Sequence, residues 1–201
     1  AIKLILLISV PAVIGLVLLA EPIILTLFER GNFTSSDSLQ ASYSLIALAF
    51  GLVAFMMIKI LTPSVVARQE PRKPRLVALA SMVLNAILAW ILGFKLGYGH
   101  IGLALASSIS AFFTVLVLLF LLKREQVYKP SSGWFNFWLR LVMASTLLIL
   151  FILYFEEETT YLREISGLGK IFYILKMVMI GMALYFLTLR LTGMKIKDFL
   201  N

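Results

Sequence analysis

The stretch Leu39-Gln-Ala-Ser-Tyr-Ser-Leu-Ile-Ala-Leu-Ala-Phe-Gly-Leu-Val-Ala-Phe-Met-Met-Ile-Lys59-Ile-Leu-Thr-Pro63-Ser-Val-Val66 carries a single charged side chain, Lys59. A helix needs about 20 mostly apolar residues to cross a bilayer core, and this run exceeds that length. Lipid offers no partner to an exposed strand edge, so a continuous apolar run of this kind reads as a helix. Outer-membrane barrel strands would be shorter and would alternate.

Five further runs have the same character: Leu4–Phe28, Arg75–Phe94, Ile101–Leu122, Trp134–Phe155 and Gly169–Leu191. The sequence therefore predicts an all-α, polytopic integral membrane protein with six transmembrane helices. Composition agrees. Of 201 residues, 61% are hydrophobic and 14% charged, and the mean hydropathy is +1.01. Soluble domains hold about 45–50% apolar and about 25% charged residues. The absence of cysteine removes disulfide frameworks, thiolate metal sites and cysteine nucleophiles. One histidine, His100, builds neither a histidine-rich metal centre nor a catalytic triad. No phosphate-cradling GxxxxGK[ST] run is present. No enzyme chemistry, cofactor, metal or nucleic-acid partner is expected.

The loops fix the boundaries. Arg30-Gly31-Asn32-Phe33-Thr34-Ser35-Ser36-Asp37 is rich in turn formers, with Thr34 or Ser35 placed to cap the next helix. Pro71 and Pro74 interrupt a short basic loop, and Gly97-Tyr98-Gly99-His100 reads as a tight hairpin. With both termini cytoplasmic, the inner side holds Lys3, Arg68, Arg72, Lys73, Arg75, Lys123, Arg124, Lys129, Arg140, Arg190, Lys195 and Lys197. The outer side then holds only Arg30, Lys95, Arg163 and Lys170. That bias follows the positive-inside rule, so the net charge of +8 reports orientation. Trp134 and Trp138, one turn apart, read as an interfacial anchor. The chain does not begin with Met, and its first span starts almost at once. We expect a C-terminal piece of a longer polytopic protein.

Ionisable and polar residues within the spans are the candidate functional groups. Lys59 either faces a polar cavity, where it attracts an anionic head group, or snorkels to the interface. Asn85 shares a helical face with Ala78, Ser81 and Ala89, while Gly102, Ala106 and Ser110 recur every four residues beside Ser107, Ala111 and Thr114. This pattern predicts a closely packed pair of the third and fourth spans, with substrate contact by Asn85 as the alternative. Pro11, Pro22 and Pro63 are candidate helix breaks. Glu21, Lys176, Lys170 and Arg140 fit interfacial roles, and His100 fits a solvated loop.

Two stretches are more specific. One runs Pro11-Ala-Val-Ile-Gly15-Leu-Val-Leu-Leu-Ala20-Glu-Pro22, then Leu27-Phe28-Glu-Arg30-Gly31-Asn-Phe33-Thr34, to Asp37. The other runs Lys59-Ile-Leu61-Thr-Pro63, then Ala67-Arg68-Gln69-Glu70 and Pro74. Together they resemble the C-terminal half of the MurJ/MviN family of the MOP flippase superfamily. The ending Gly193-Met-Lys195-Ile-Lys197-Asp-Phe199 is similar as well. Val65-Val66, Glu70-Pro71 and Lys73 depart from the family's usual residues at those places.

The resemblance covers essentially the whole chain and implies the last six of fourteen helices of a two-lobe transporter. It implies a lipid II flippase, which carries a polyprenyl diphosphate-linked precursor from the inner to the outer leaflet of the bacterial cytoplasmic membrane. Lipid II, membrane lipids and the missing N-terminal helices are then the partners. Residues 1–125 would supply four spans of the C-terminal lobe. Residues 126–201 would add two helices with a candidate lipid-tail groove, for which Ala144, Ser145, Gly181 and Ala183 are the small residues. Lys59, Arg68 and Asn85 are the substrate-path candidates. The family's diphosphate-binding arginines would lie in the absent helices. Another MOP-type exporter, of oligosaccharide lipids or drugs, and a non-transporting lipid-binding scaffold remain the alternatives.

Overall fold

The computed structural model describes residues 2–28, 33–67, 72–124, 133–155, 162 and 165–194. Among these residues there is no strand. The helices are α1 (Ile2–Leu18), α2 (Ala20–Phe28), α3 (Ser35–Val66), α4 (Arg72–Ala89), α5 (Gly99–Arg124), α6 (Trp134–Phe155) and α7 (Gly167–Leu191). A π-helical turn, Trp90–Lys95, continues α4. Among the described residues five helices, counting α4 with its π turn, are long and apolar enough to span a membrane, and the bent pair α1–α2, taken as one span, gives a sixth.

Local chemistry explains the ends. Thr34 caps α3: its side chain accepts from the Asp37 N–H, and the Asp37 carboxylate accepts from the Thr34 N–H at 2.9 Å. The cap sets the start of α3 one turn ahead of the apolar run. Ser166 caps α7 by accepting from the Gly169 N–H. That helix ends at Gly193, whose φ of 80° suits a residue without Cβ. The Met194 N–H closes the end on the Leu189 carbonyl, and the Arg140 guanidinium of α6 donates to the Gly193 carbonyl at 3.3 Å. The hairpin before α5 uses Gly97 and Gly99, both at positive φ.

The first span departs from a single straight helix. Its two halves meet at 68° around Leu19. Pro22 is the cause: it has no N–H for the Leu18 carbonyl, and its ring crowds that oxygen. The Thr26 hydroxyl donates back to the Pro22 carbonyl at 2.7 Å, a bond that favours bending. Helices α1 and α3, by contrast, continue through Pro11 and Pro63. Pro11 leaves the Leu7 carbonyl without its helical donor. The Tyr185 hydroxyl, on α7, donates to that oxygen at 3.0 Å, and the Tyr185 side chain is 0% exposed.

Two apolar cores result. Leu6, Leu19 and Leu25 of the first span pack with Phe137, Leu141, Leu148, Met177 and Tyr185 of α6 and α7. Ala54, Leu61 and Val65 of α3 pack with Val77 of α4 and with Ala111, Val115 and Leu118 of α5. Helix α1 touches both α3 and α6, and so joins the two groups. Of the five long helices α5 is the most enclosed and α4 the least.

Small residues set the distances between helices. A Cβ on Gly51 of α3 would lie 2.5 Å from the Ser108 Oγ of α5. One on Gly102 would lie 2.5 Å from the Leu92 backbone in the π turn. One on Gly181 of α7 would lie 2.9 Å from Leu148 of α6. The Ser108 hydroxyl donates to the Ala47 carbonyl across the α3–α5 seam at 2.6 Å.

Two outcomes are expected. Tyr185→Phe should lower stability by about 1 kcal/mol through the unpaired Leu7 carbonyl. The same change in a Pro11→Ala background should cost much less, because alanine at that position restores the N–H; thermal unfolding in detergent of the four variants measures the coupling. Gly102→Ala should cost roughly 1–3 kcal/mol, since it meets backbone that must shift. Gly15→Ala, with nothing within 4 Å, should not destabilise.

Candidate functional site

Helix α3 presents polar groups toward both ends of one face, which is covered between them, where Gly51 is buried and Phe55 half-buried. Asp37, Gln40, Ser44, Leu48, Lys59, Pro63 and Val66 follow helical spacing, and all are exposed except the half-buried Ser44. At the α3 N-terminus this face opens into a cleft of about 600 Å³. Asp37, Gln40 and Ser44 line it together with Ile24 and Phe33, and His100 lines it from the first turn of α5. Lys59 and Pro63 lie on the same face toward the other end of α3.

The candidate residues separate. Lys59 is exposed, one turn before Pro63. Asn85 is half-buried on α4, and its Oδ1 is buried without a hydrogen-bond partner. One turn away, the Thr114 hydroxyl of α5 donates to the Ser81 Oγ at 2.7 Å, and the Ser81 hydroxyl donates to the Ser110 carbonyl at 3.0 Å. The small and polar faces of α4 and α5 thus meet as their spacing requires. Asn85 adjoins that seam rather than the α3 face. Arg68 lies outside the described residues.

Ala144 and Gly181 are buried between α6 and α7. The Ser145 Oγ is buried without a hydrogen-bond partner, and Ala183 is exposed. Beside this seam lies an open apolar depression of about 570 Å³, bordered by Leu147, Phe151, Tyr154, Phe155 and Leu184. Its walls are bulky residues. A search for small residues finds the contact between the helices and not the depression beside it.

The cleft at Asp37 is the feature that reading the spans one by one leaves out. Its signal is the spacing Asp37, Gln40, Ser44 at the head of an otherwise apolar helix. The contribution of His100 depends on the hairpin that turns α5 back toward α3.

Residues 1–188 match the family model described as lipid II flippase MurJ. The chain belongs to that family. It is 36% identical over 208 residues to the probable lipid II flippase MurJ of Vibrio cholerae, covering 98% of this chain and 37% of that protein. It is 32% identical over 197 residues to the probable lipid II flippase MurJ of Haemophilus influenzae, covering 96% and 38%. It is 32% identical over 185 residues to the lipid II flippase MurJ of Thermosipho africanus, covering 92% and 35%. The chain therefore spans little more than a third of the length of these relatives. Family membership and the apolar helices together make it part of a multi-pass membrane protein.

The orphan oxygen of Asn85 carries a stability cost in this chain. Asn85→Leu should raise the thermal midpoint in detergent, by the equivalent of about 1 kcal/mol, because an unpaired buried acceptor is replaced by packing of similar size. Asn85→Asp should lower it.

Proposed function

We infer that this chain is the C-terminal portion of a lipid II flippase, moving the polyprenyl diphosphate-linked peptidoglycan precursor from the inner to the outer leaflet of the bacterial cytoplasmic membrane. The observation that carries this reading is the match of residues 1–188 to the lipid II flippase family model. The activity is transport and not catalysis.

The physical requirements divide between the parts. A charged, sugar-bearing head group needs a polar path through a medium that penalises it. The polar face of α3, with Lys59 near one end and the Asp37–His100 cleft at the other, forms part of that path. Lys59 supplies the positive charge for the diphosphate as it enters or leaves. Arg68, two residues beyond the end of α3 in sequence, adds to that charge. Residues 1–125 act as part of one lobe, and the upstream helices supply the facing lobe and the main diphosphate ligands. The polyprenyl tail stays in lipid. It runs along the apolar flank of the α6–α7 hairpin, residues 126–201. The end bearing Lys3, Lys123, Arg124 and Arg190 faces the cytoplasm by the positive-inside rule.

Vesicle assays with purified lipid II test this. The full-length protein should expose lipid II to an externally added, membrane-impermeant probe, and the 201-residue chain alone should not. In the full-length protein Lys59→Ala should slow exposure about tenfold, equivalent to about 1.4 kcal/mol in the barrier. Lys59→Arg should retain most of the rate, and Lys176→Ala, on the exposed face of α7, should leave it unchanged. Full activity of Lys59→Ala would remove Lys59 from the path. Transport by the isolated chain would show that no facing lobe is needed. Transport of cationic drugs with no movement of lipid II would point to a different exporter, and movement of neither by the full-length protein to a scaffold.

A further inference from the structure

At the basic end of the molecule, α1, α3, α5 and α6 do not close on one another. They leave a lateral pocket of about 380 Å³. Its walls are apolar, with Leu6 from α1, Met57 from α3 and Leu119 from α5 among them. Trp134 and Trp138 of α6 line it, and Lys123 is its one charged lining residue. A second cation stands at the edge: the Lys3 ammonium lies 5.2 Å from the centroid of the Trp134 ring and 5.8 Å from that of Phe137. Among the described residues no carboxylate pairs with either lysine, and the pocket walls contain no acid.

We propose that this pocket is a binding site for an anionic phospholipid of the adjoining leaflet, one acyl chain lying between α1, α5 and α6 and the phosphate held by Lys123 and Lys3. Each part of the ligand has its counterpart. The volume lies at the low end of small-molecule sites, which run from about 300 to 1,000 Å³, and suits one alkyl chain rather than a sugar head group. Paired tryptophans seat at the depth of lipid head groups. Basic pockets between membrane helices attract anionic head groups. Lys3 held against an aromatic face keeps its charge beside the pocket mouth rather than dispersed in solvent. The bound lipid fills a gap between the α3–α5 core and the α6–α7 hairpin, where protein side chains leave the seam open. This inference stands on the geometry of the basic end and does not depend on lipid II transport.

Photocrosslinking in vesicles tests it on the full-length protein. The probes are phosphatidylglycerol and phosphatidylcholine, each with a diazirine on one acyl chain and present at equal mole fraction. Labelled peptides are mapped by mass spectrometry. Phosphatidylglycerol should label Ile2–Leu6, Leu119–Lys123 and Trp134–Trp138 at least threefold more than phosphatidylcholine. Lys123→Gln should bring the two probes to parity, and Lys123→Arg should keep the preference. Labelling of Leu147–Phe155, on the apolar depression at the opposite end, should be the same for both probes in every variant. That internal reference separates loss of the site from loss of the fold. Equal labelling in the unaltered protein would overturn the proposal, as would a preference that survives Lys123→Gln. An unlabelled pocket would mean that upstream helices cover it, and would overturn the proposal too. Competition by polyprenyl phosphate, but not by unlabelled phosphatidylglycerol, would assign the pocket to an isoprenoid instead.

Discussion

In hydrocarbon, every backbone carbonyl that loses its helical donor must find another partner or move to where water can reach it. Prolines in the first span force that choice twice, and the answers differ. At Pro11 the freed Leu7 oxygen receives the Tyr185 hydroxyl, so the helix continues and is pinned to α7. At Pro22 the helix instead turns through 68°. The long-range bond at Pro11 joins residues 178 positions apart. Because α1 also packs on α3, this contact ties the last helix to the rest of the chain.

The remaining seams obey a different rule. Lipid tails are as apolar as leucine, so helices gain little by hiding leucines from them. Close approach and hydroxyl bonds matter more. Gly51 admits Ser108, Gly102 admits the π turn, and Gly181 admits Leu148. Ser108 and Ser81 each donate to a carbonyl on a neighbouring helix, and Thr114 donates to the Ser81 hydroxyl. These polar contacts cluster on α5, which accounts for its enclosed position.

Much of this was legible in the sequence, for definable reasons. Spans announce themselves because lipid demands uninterrupted apolar length, and α6 begins and ends at the expected residues. The α4–α5 pairing is readable because small and hydroxyl residues recur at helical spacing on both partners. The sequence offers Thr34 or Ser35 as the cap of α3, and the reciprocal bonds with Asp37 make it Thr34. The two fates of proline are not legible. Pro11 and Pro22 look alike locally, and the donor to the Leu7 carbonyl that Pro11 frees is a tyrosine near the far end of the chain. The site was only partly readable. Lys59 stands out as a lone charge in an apolar run, whereas the Asp37–His100 cleft needs the third dimension to bring α5 beside α3. Asn85 stands out as strongly as Lys59, yet it adjoins a helix seam.

The bend at Leu19 also bears on depth. Helices α1 and α2 hold 17 and 9 residues, and laid end to end they would reach about 39 Å at a rise of about 1.5 Å per residue. A hydrocarbon core is about 30 Å thick. A straight rod of that length would have to tilt steeply or leave leucines and phenylalanines in water. With α1 along the membrane normal, folding the last nine residues over by 68° would reduce their vertical reach to about 5 Å and that of the whole span to about 31 Å. In that orientation the bend at the proline matches an overlong apolar segment to the membrane's thickness, and α2, with Glu21 at its start, would run close to the membrane plane. A bilayer made thicker or thinner would bear first on this joint, and only through it on the α3 face beside it.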